Sequence, residues 1–296
     1  MTRATALVAL LAASGLATAA VQQQPLVFRA EADATSVNVS VRDGNKPVAG
    51  LTASDFQVID NGVLQQVSAV SLETLPIDMT IVVDTSGSVS GAAHIQLSWD
   101  IGTIARLLAS EDRLRFLSFS TRVEEVFGLR QVGPNHPLLT VPPAGATGFF
   151  NAIAAALMPP ADPGRPHLVV ALGDGGDNIS LLDGKDIKEL ARRSDAVLHV
   201  VIRSSGSGRG RGWLPFYPQR RDLDGLRDAA TTTGGGFREE ATDVASLFAR
   251  VIAEFKTSYV VWFKPTGVEP SGWHDLVVRL KRGNYTVRAR KGYFGK

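Results

Sequence analysis

The sequence predicts an α/β fold: a doubly wound, mostly parallel central sheet with helices on both faces, flanked by a small β unit. Three short runs of nearly continuous apolar residues are typical of strands that are covered on both sides, as in parallel sheets. Segments with apolar residues at helical spacing lie between these runs. Strands that alternate with helices along a chain are typical of α/β domains, in which right-handed crossovers join parallel strands.

The predicted central domain covers residues 77–256. Its covered strands are expected at residues 79–83, 167–172 and 196–202. Helices are expected where apolar residues recur at intervals of three and four: Leu97, Ile101, Ile104 and Leu108; Ile187, Leu190 and Ala191; Leu247, Phe248, Val251, Ile252 and Phe255. Residues 113–129 interrupt this alternation with two strand-like stretches, so we expect a strand pair there, with one antiparallel member at the sheet edge.

Two β-rich segments, residues 26–75 and 257–296, flank the predicted central domain. In the first segment, apolar residues alternate with polar ones as in a half-buried strand: Val37, Val39 and Val41. The second segment has strand-like stretches at residues 259–263, 274–280 and 285–290, and His274 is expected to face solvent. We expect both segments to join in one β unit, with the central domain inserted between them.

The N-terminus has the pattern of a secretory signal peptide over residues 1–20. Arg3 supplies a positive charge, residues 4–16 are apolar, and small residues follow at a position suited to cleavage. The apolar stretch is shorter than the roughly 20 residues that span a bilayer, and no other segment reaches that length, so no stable membrane span is expected. This pattern predicts a secreted or periplasmic protein.

Composition narrows the function classes. The chain has 296 residues, of which 44% are hydrophobic and 20% charged, as in ordinary globular proteins. A net charge of only +2 does not favour nucleic acid as a partner. Cysteine is absent, which excludes disulfide bonds, thiol catalysis, cysteine metal sites and a lipid anchor on cysteine.

Oxygen-bearing side chains gather at the predicted end of the first covered strand, where Asp84 is followed by Ser86 and Ser88. A buried carboxylate is costly unless its charge is compensated, and a hard divalent cation would do so with oxygen ligands. Ligands of open α/β sheets bind beyond the carboxyl ends of the strands. Asp174 ends a second strand at the same edge, and Thr147 precedes a predicted helix. These residues therefore predict a metal site.

These residues resemble the metal-ion-dependent adhesion site (MIDAS) of von Willebrand factor type A domains. The Asp84-x-Ser86-x-Ser88 run, the Gly145-x-Thr147 loop and the Asp174-Gly175 loop occur in the family's order. The resemblance covers roughly residues 77 to 256 and implies a Rossmann-like fold. The flanking segments resemble those of bacterial secreted proteins described as von Willebrand factor A-related. The shared features are the signal peptide, the Arg-rich closing strands and three short motifs: Gly50-Leu51, Asp55-Phe56 and Asp60-Asn61-Gly62.

The resemblance also implies roles for the site residues. Ser86, Ser88 and Thr147 would contact one divalent ion, Mg²⁺ or else Ca²⁺ or Mn²⁺, through their hydroxyls. Asp84 and Asp174 would act mainly through bound water or through hydrogen bonds to the ligating groups. Neutral hydroxyl ligands leave the charge of the ion poorly compensated, which favours an incoming carboxylate. The implied function is a binding module that engages an Asp or Glu side chain of an unknown protein partner, without being an enzyme.

Alternative interpretations remain open from the sequence. Ser86 and Ser88 are also preferred helix-capping residues. A metal-dependent hydrolase would use the cation as a Lewis acid, although no Gly-x-Ser-x-Gly elbow is present and no general base lies near the motif. A third possibility is a metal-independent envelope scaffold in which the loops are only structural.

The sequence also allows predictions for a Gly- and Arg-rich segment, for three neighbouring aromatic residues and for Asp177. Residues 206–212 are rich in Gly and Arg and are expected to form a surface loop, with an anion- or partner-binding loop as the alternative. The neighbouring Trp213, Phe216 and Tyr217 are either an exposed contact patch or part of the core. Asp177, close to Asp174, is expected to be a solvated loop acid, with a water-mediated contact at the metal site as the alternative.

Overall fold

The computed structural model describes residues 34–72, 75–89, 92–133, 141–162, 164–203, 222–240 and 243–295. The predicted signal peptide, residues 26–33, the Gly- and Arg-rich loop and the three aromatic residues beside it lie outside the described residues. The first five strands are β1 (Thr35–Asp43), β2 (Lys46–Pro47), β3 (Phe56–Asp60), β4 (Val63–Gln65) and β5 (Val67–Ser71).

The central domain follows, and its elements alternate as expected. They are β6 (Asp78–Asp84), α1 (Ala92–Ile104), β7 (Arg113–Phe119), β8 (Val123–Gln131), α2 (Phe149–Leu157), β9 (His167–Gly173), α3 (Gly184–Arg193), β10 (Val197–Arg203), α4 (Leu223–Thr232), β11 (Gly236–Glu240) and α5 (Val244–Lys256). The chain continues with β12 (Tyr259–Phe263), β13 (Gly272–Leu280), β14 (Thr286–Ala289) and β15 (Gly292–Gly295).

The central sheet has the strand order β11-β10-β9-β6-β7-β8. Its strands are parallel except for β8, which runs antiparallel to β7 at one edge. The predicted α/β, Rossmann-like class is confirmed. Strand β11 was not predicted, because its sequence Gly-Phe-Arg-Glu-Glu has none of the apolar continuity that marks the covered strands.

Helices cover the two faces of this sheet with separate apolar clusters. On one face, α1 and α5 pack on the sheet through residues such as Leu97, Ile101 and Phe248. On the other face, α2, α3 and α4 contribute Ile153, Ile187 and Leu226 to a second apolar cluster. β6 and β9 are buried along their whole length, since both of their faces are covered. Strand ends at the carboxyl edge are thereby held in a rigid frame.

The flanking strands form two antiparallel sheets. One has the order β14-β1-β12-β5, with β2 paired to β1, and the other has the order β15-β13-β3-β4. Both combine strands from before and after the central domain, because β1 pairs with β12 and β14 while β13 pairs with β3. A shared core that includes Val39, Phe56 and Tyr259 lies between these strands.

The expectation that His274 faces solvent was wrong. His274 is 1% exposed, and its Nδ1 lies 2.8 Å from Asp60 Oδ1. Asp60 also accepts a hydrogen bond of 2.6 Å from the Tyr293 hydroxyl. A buried carboxylate requires such partners, and His274 occupies the inward-facing register of β13, two residues before the buried Leu276, to serve Asp60.

Polar contacts fasten these sheets to the central domain. Glu254 on α5 accepts hydrogen bonds from Ser40 on β1 and from Arg288 on β14, at 3.0 and 3.1 Å. On α3, the guanidinium of Arg192 lies 4.1 Å from the ring centroid of Trp273, a cation–π contact.

Among the described residues, no helix is both long enough and apolar enough to cross a bilayer.

Candidate metal centre

Three loops meet at the carboxyl edge of the central sheet. The Asp84 loop (residues 84–88) follows β6, the Thr147 loop (residues 144–148) precedes α2, and the Asp174 loop (residues 174–181) follows β9. Since β6 lies between β7 and β9 in the sheet, the Asp84 loop is central and the Asp174 loop is its neighbour. The predicted site residues are therefore brought to one place by strand order.

Main-chain hydrogen bonds join the Asp84 loop to the Thr147 loop. Ala144 N donates to Thr85 O at 2.9 Å, and Gly87 N donates to Gly145 O at 3.1 Å. Thr85 N in turn donates to Phe119 O at the end of β7, at 2.8 Å. These bonds hold the two loops in register and leave the hydroxyl groups of the motif to serve other partners.

The Asp174 loop is bonded to the Thr147 loop through Asn178. Thr147 N donates to Asn178 Oδ1 at 2.7 Å, and Asn178 N donates to Thr147 O at 2.9 Å. Within its own loop, Asp174 Oδ1 accepts a hydrogen bond of 2.8 Å from Gly176 N. Asn178 was not singled out from the sequence, where only its position shortly after Asp174 pointed to the site.

Asp84 is a buried carboxylate with an incomplete set of partners. It is 2% exposed, and its Oδ1 accepts a hydrogen bond of 2.8 Å from Ser86 N. Its Oδ2 is buried and has no hydrogen-bond partner among the described residues. Burial raises the pKa of Asp84 to about 6, and the nearby Asp174 carboxylate adds to the elevation. A divalent cation would give Asp84 Oδ2 a partner and would reduce the repulsion between the Asp84 and Asp174 carboxylates.

Hydroxyl groups complete the donor set. The Ser86 and Ser88 Oγ atoms lie 2.9 Å apart, with Ser86 buried and Ser88 exposed. Thr147 is 4% exposed, and its hydroxyl has no hydrogen-bond partner among the described residues. In the part of the chain that the structure describes, no group of three or more His, Cys, Asp or Glu residues could hold a metal. The side-chain oxygens at this place belong to hydroxyls and to the two carboxylates, and oxygen ligands suit a hard ion such as Mg²⁺.

The hairpin between β7 and β8 supports the Thr147 loop, a contribution that the sequence did not reveal. Thr121 Oγ1 accepts a hydrogen bond of 3.0 Å from Ala146 N, and Gly148 N donates to Ser120 O at 3.1 Å. Gly145 has φ +81°, and a Cβ there would overlap Thr121 Oγ1. Only glycine combines this left-handed backbone with so close a neighbour.

The expectation that Asp177 is a solvated acid was wrong. Asp177 is fully buried, and it accepts hydrogen bonds from Phe150 N at 3.0 Å, Ser180 N at 2.9 Å and Ser180 Oγ at 2.6 Å. Gly148, the N-cap residue of α2, provides no side-chain cap. Asp177 therefore satisfies a free N–H of the first turn of α2 from outside the helix, with Ser180 Oγ doing the same for Asn151 N at 3.1 Å.

The chain is similar in fold to several proteins of known structure. No protein-family model and no curated protein matches the chain. Proximal thread matrix protein 1 from the mussel byssus, with a zinc-occupied MIDAS motif, matches at TM-score 0.50 and 15% identity, over 64% of this chain and 48% of that one. A von Willebrand factor type A protein from Catenulispora acidiphila matches at TM-score 0.48 and 11% identity, over 88% and 73% of the two chains.

The ArnB paralog VWA2 from Sulfolobus acidocaldarius is a further match, at TM-score 0.49 and 12% identity, covering 89% of this chain and 76% of that chain. At such identities, structural similarity defines a fold and leaves function to be argued from the site. The match to the mussel protein with the zinc-occupied MIDAS motif shows a shared fold over 64% of this chain.

Proposed function

We propose that the chain is a secreted protein-binding module that holds one divalent cation and engages a carboxylate of its partner. The observation that carries this proposal is the buried, unpartnered Oδ2 of Asp84, on a loop that main-chain hydrogen bonds join to the Thr147 loop. A buried charge without a partner is costly, and such a cost is retained where a ligand relieves it.

The proposed ligand set follows from this geometry. Ser86, Ser88 and Thr147 would hold the cation through their hydroxyls, while Asp84 and Asp174 would bind its water molecules or orient the ligating groups. When bound, the cation supplies an open coordination position for an Asp or Glu side chain. Mg²⁺ is the proposed ion, with Mn²⁺ or Ca²⁺ as alternatives.

The remaining assignments are proposals of the same kind. Residues 1–20 would direct the chain to the periplasm or the exterior, in keeping with the bacterial secreted subgroup. Residues 77–256 would form the metal-binding domain, inserted in a β unit made from residues 26–75 and 257–296. We propose binding without catalysis, because hydroxyl ligands leave the charge of the cation poorly compensated and so favour the binding of a partner carboxylate.

Calorimetric titration of Mg²⁺ and Mn²⁺ into the full chain tests the metal site. We expect one equivalent of bound ion in the wild type and none in Asp84→Ala or Thr147→Val. Thr85→Val is the matched control. The Thr85 hydroxyl lies in the same region but donates to Phe119 O at 3.1 Å, so this variant should bind the ion normally.

A wild-type chain that takes up no ion would overturn the proposed function. Equal melting temperatures with metal and with chelator would then support the interpretation of the loops as a structural scaffold.

A further inference from the structure

Leu181, in the Asp174 loop, is an apolar side chain that an ordered backbone presents to solvent. It is 93% exposed, while the next residue, Leu182, packs against the apolar core. Leu181 N donates to Asn151 Oδ1 at 3.2 Å, and the preceding Ser180 is bonded to the buried Asp177. The exposure of Leu181 therefore results from fixed backbone geometry.

The position of Leu181 relative to the candidate metal centre follows from these bonds. Asn178, three residues earlier in the loop, is paired with Thr147. Three residues of chain span at most about 11 Å, so the backbone of Leu181 lies within about that distance of Asn178. A partner residue at the cation would have a neighbour close to Leu181.

An exposed arginine lies on the hairpin that supports the Thr147 loop. Arg122 is exposed at the tip of the hairpin between β7 and β8, next to Thr121, which accepts a hydrogen bond from Ala146 N. Among the described residues, no acid is paired with Arg122. An exposed guanidinium can bind a carboxylate in a bidentate manner.

Strand order separates the two groups. β7 and β9 lie on opposite sides of β6, and the hairpin after β7 and the loop after β9 both contact the Thr147 loop, at Ala146 and at Thr147. Adjacent strands are about 4.8 Å apart, which places the hairpin and the loop at a distance that a short extended peptide can bridge.

We propose that the site recognises a protein segment with three features: an acidic residue at the cation, an apolar residue on Leu181 and a second acidic residue at Arg122. This inference rests on the proposed function and specifies its partner. Leu181 and Arg122 would determine specificity, because neither contacts the cation. The apolar contact would strengthen binding, and the exposed charge would mainly accelerate association.

Selection from a phage-displayed library of random linear peptides, with elution by chelator, tests the inference on the full chain in Mg²⁺. We expect the wild type to enrich peptides with a central acid, an apolar residue on one side and a second acid on the other. A selected peptide should then bind Leu181→Ser roughly tenfold more weakly. It should bind Arg122→Gln roughly threefold more weakly at low salt, with the difference disappearing as salt rises.

Matched controls are available on the small sheets. Leu64→Ser removes another apolar side chain, which is 62% exposed on β4, and Arg279→Gln removes another exposed arginine, on β13. Both control variants should bind the peptide as the wild type does. Mg²⁺ titration should give the same heat for all four variants, because none removes a proposed ligand.

The outcomes separate the two proposals. Chelator-sensitive acidic peptides that bind Leu181→Ser and Arg122→Gln as tightly as the wild type would overturn this inference and leave the proposed function intact. Selection of no chelator-sensitive acidic peptide would overturn the proposed function together with the inference.

Discussion

Thr147 and Asn178 are joined by a reciprocal pair of hydrogen bonds: Thr147 N donates to Asn178 Oδ1 at 2.7 Å, and Asn178 N donates to Thr147 O at 2.9 Å. The pair connects the loop before α2 to the loop after β9, which are far apart in the sequence. It orients the Thr147 hydroxyl without using that hydroxyl. Asn178 therefore positions a proposed metal ligand from a neighbouring loop.

Asn178→Ala should weaken Mg²⁺ binding by roughly tenfold, the usual lower limit for loss of a group that orients a ligand. Calorimetric titration measures the change, and circular dichroism should show a folded protein. Asn45→Ala, at an exposed turn between β1 and β2, is the control and should bind normally. Undiminished affinity in Asn178→Ala would show that Thr147 is held by other contacts.

Gly145→Ala should destabilise the protein more than Gly164→Ala does. Both glycines have positive φ, +81° and +78°, so both variants carry the same backbone strain. Only at Gly145 would the new Cβ overlap Thr121, whereas nothing lies within 4 Å at Gly164. We expect about 1 kcal/mol lost at Gly164 and about 2–3 kcal/mol at Gly145, measured by urea unfolding. Equal losses would mean that Thr121 moves aside freely.

Asp84→Asn should stabilise the metal-free protein while removing its response to Mg²⁺. The pKa of Asp84 is raised to about 6 by burial and by Asp174, so its ionised form is unfavourable above that pH. With chelator at pH 8, we expect the free energy of unfolding to rise by about 3 kcal/mol, since one pKa unit corresponds to about 1.4 kcal/mol.

Saturating Mg²⁺ should reverse the order of stability in that experiment. An ion present at a thousand times its dissociation constant stabilises the wild type by about 4.1 kcal/mol, and Asp84→Asn should gain nothing. Thermal unfolding with Mg²⁺ and with chelator measures both effects. A variant that is less stable than the wild type in chelator would contradict the assignment of a charge cost to Asp84.

Asp177→Ala should be strongly destabilising, with a loss of about 3 kcal/mol, because it leaves buried donors of Phe150 and Ser180 without their acceptor. Asp243 is the matched control, since it caps α5 through one hydrogen bond of 3.0 Å to Ser246 N at an exposed position. Asp243→Ala should lose less. Chemical denaturation compares the two, and similar losses would argue against the buried cap.

Acid should destabilise the protein through His167. Burial lowers the pKa of His167 to about 4 from an ordinary value of 6.5, and its Nε2 lies 2.8 Å from Thr80 Oγ1. Between these two pH values, the unfolded chain binds a proton that the folded chain does not. Stability present above pH 6.5 is therefore lost as the pH falls toward 4, by about 3 kcal/mol.

His167→Gln should remove that loss, and the difference between the two pH–stability curves isolates His167. His199, whose pKa burial also lowers to about 4, acts in the same direction, so part of the acid sensitivity should remain in the variant. Parallel curves for wild type and variant from pH 7 to 4 would show that His167 is not buried in its neutral form.

Much of the architecture could be predicted from local patterns. Continuous apolar runs marked β6, β9 and β10 because both faces of these strands are covered. The antiparallel edge strand was predicted as well. β11 could not be, because a short polar strand at an edge carries too little apolar signal.

The proposed ligands of the candidate site could also be predicted from the sequence, whereas the groups that support them could not. The sequence by itself assembled Asp84, Ser86, Ser88, Thr147 and Asp174 as proposed ligands, since a carboxylate at the end of a covered strand needs compensation wherever that strand lies. Their role as metal ligands stays a prediction.

Only the tertiary structure decided which polar groups support that site. Asp177 became a buried helix cap, Asn178 became the partner of Thr147, and Thr121 came to lie against Gly145. His274 likewise turned inward to Asp60. The hydrogen-bond partner of a polar side chain depends on strand order and loop contacts between distant residues. The local periodicity of apolar residues shows which faces of a strand or helix are buried. It does not show which distant residue will form a hydrogen bond with a given polar side chain.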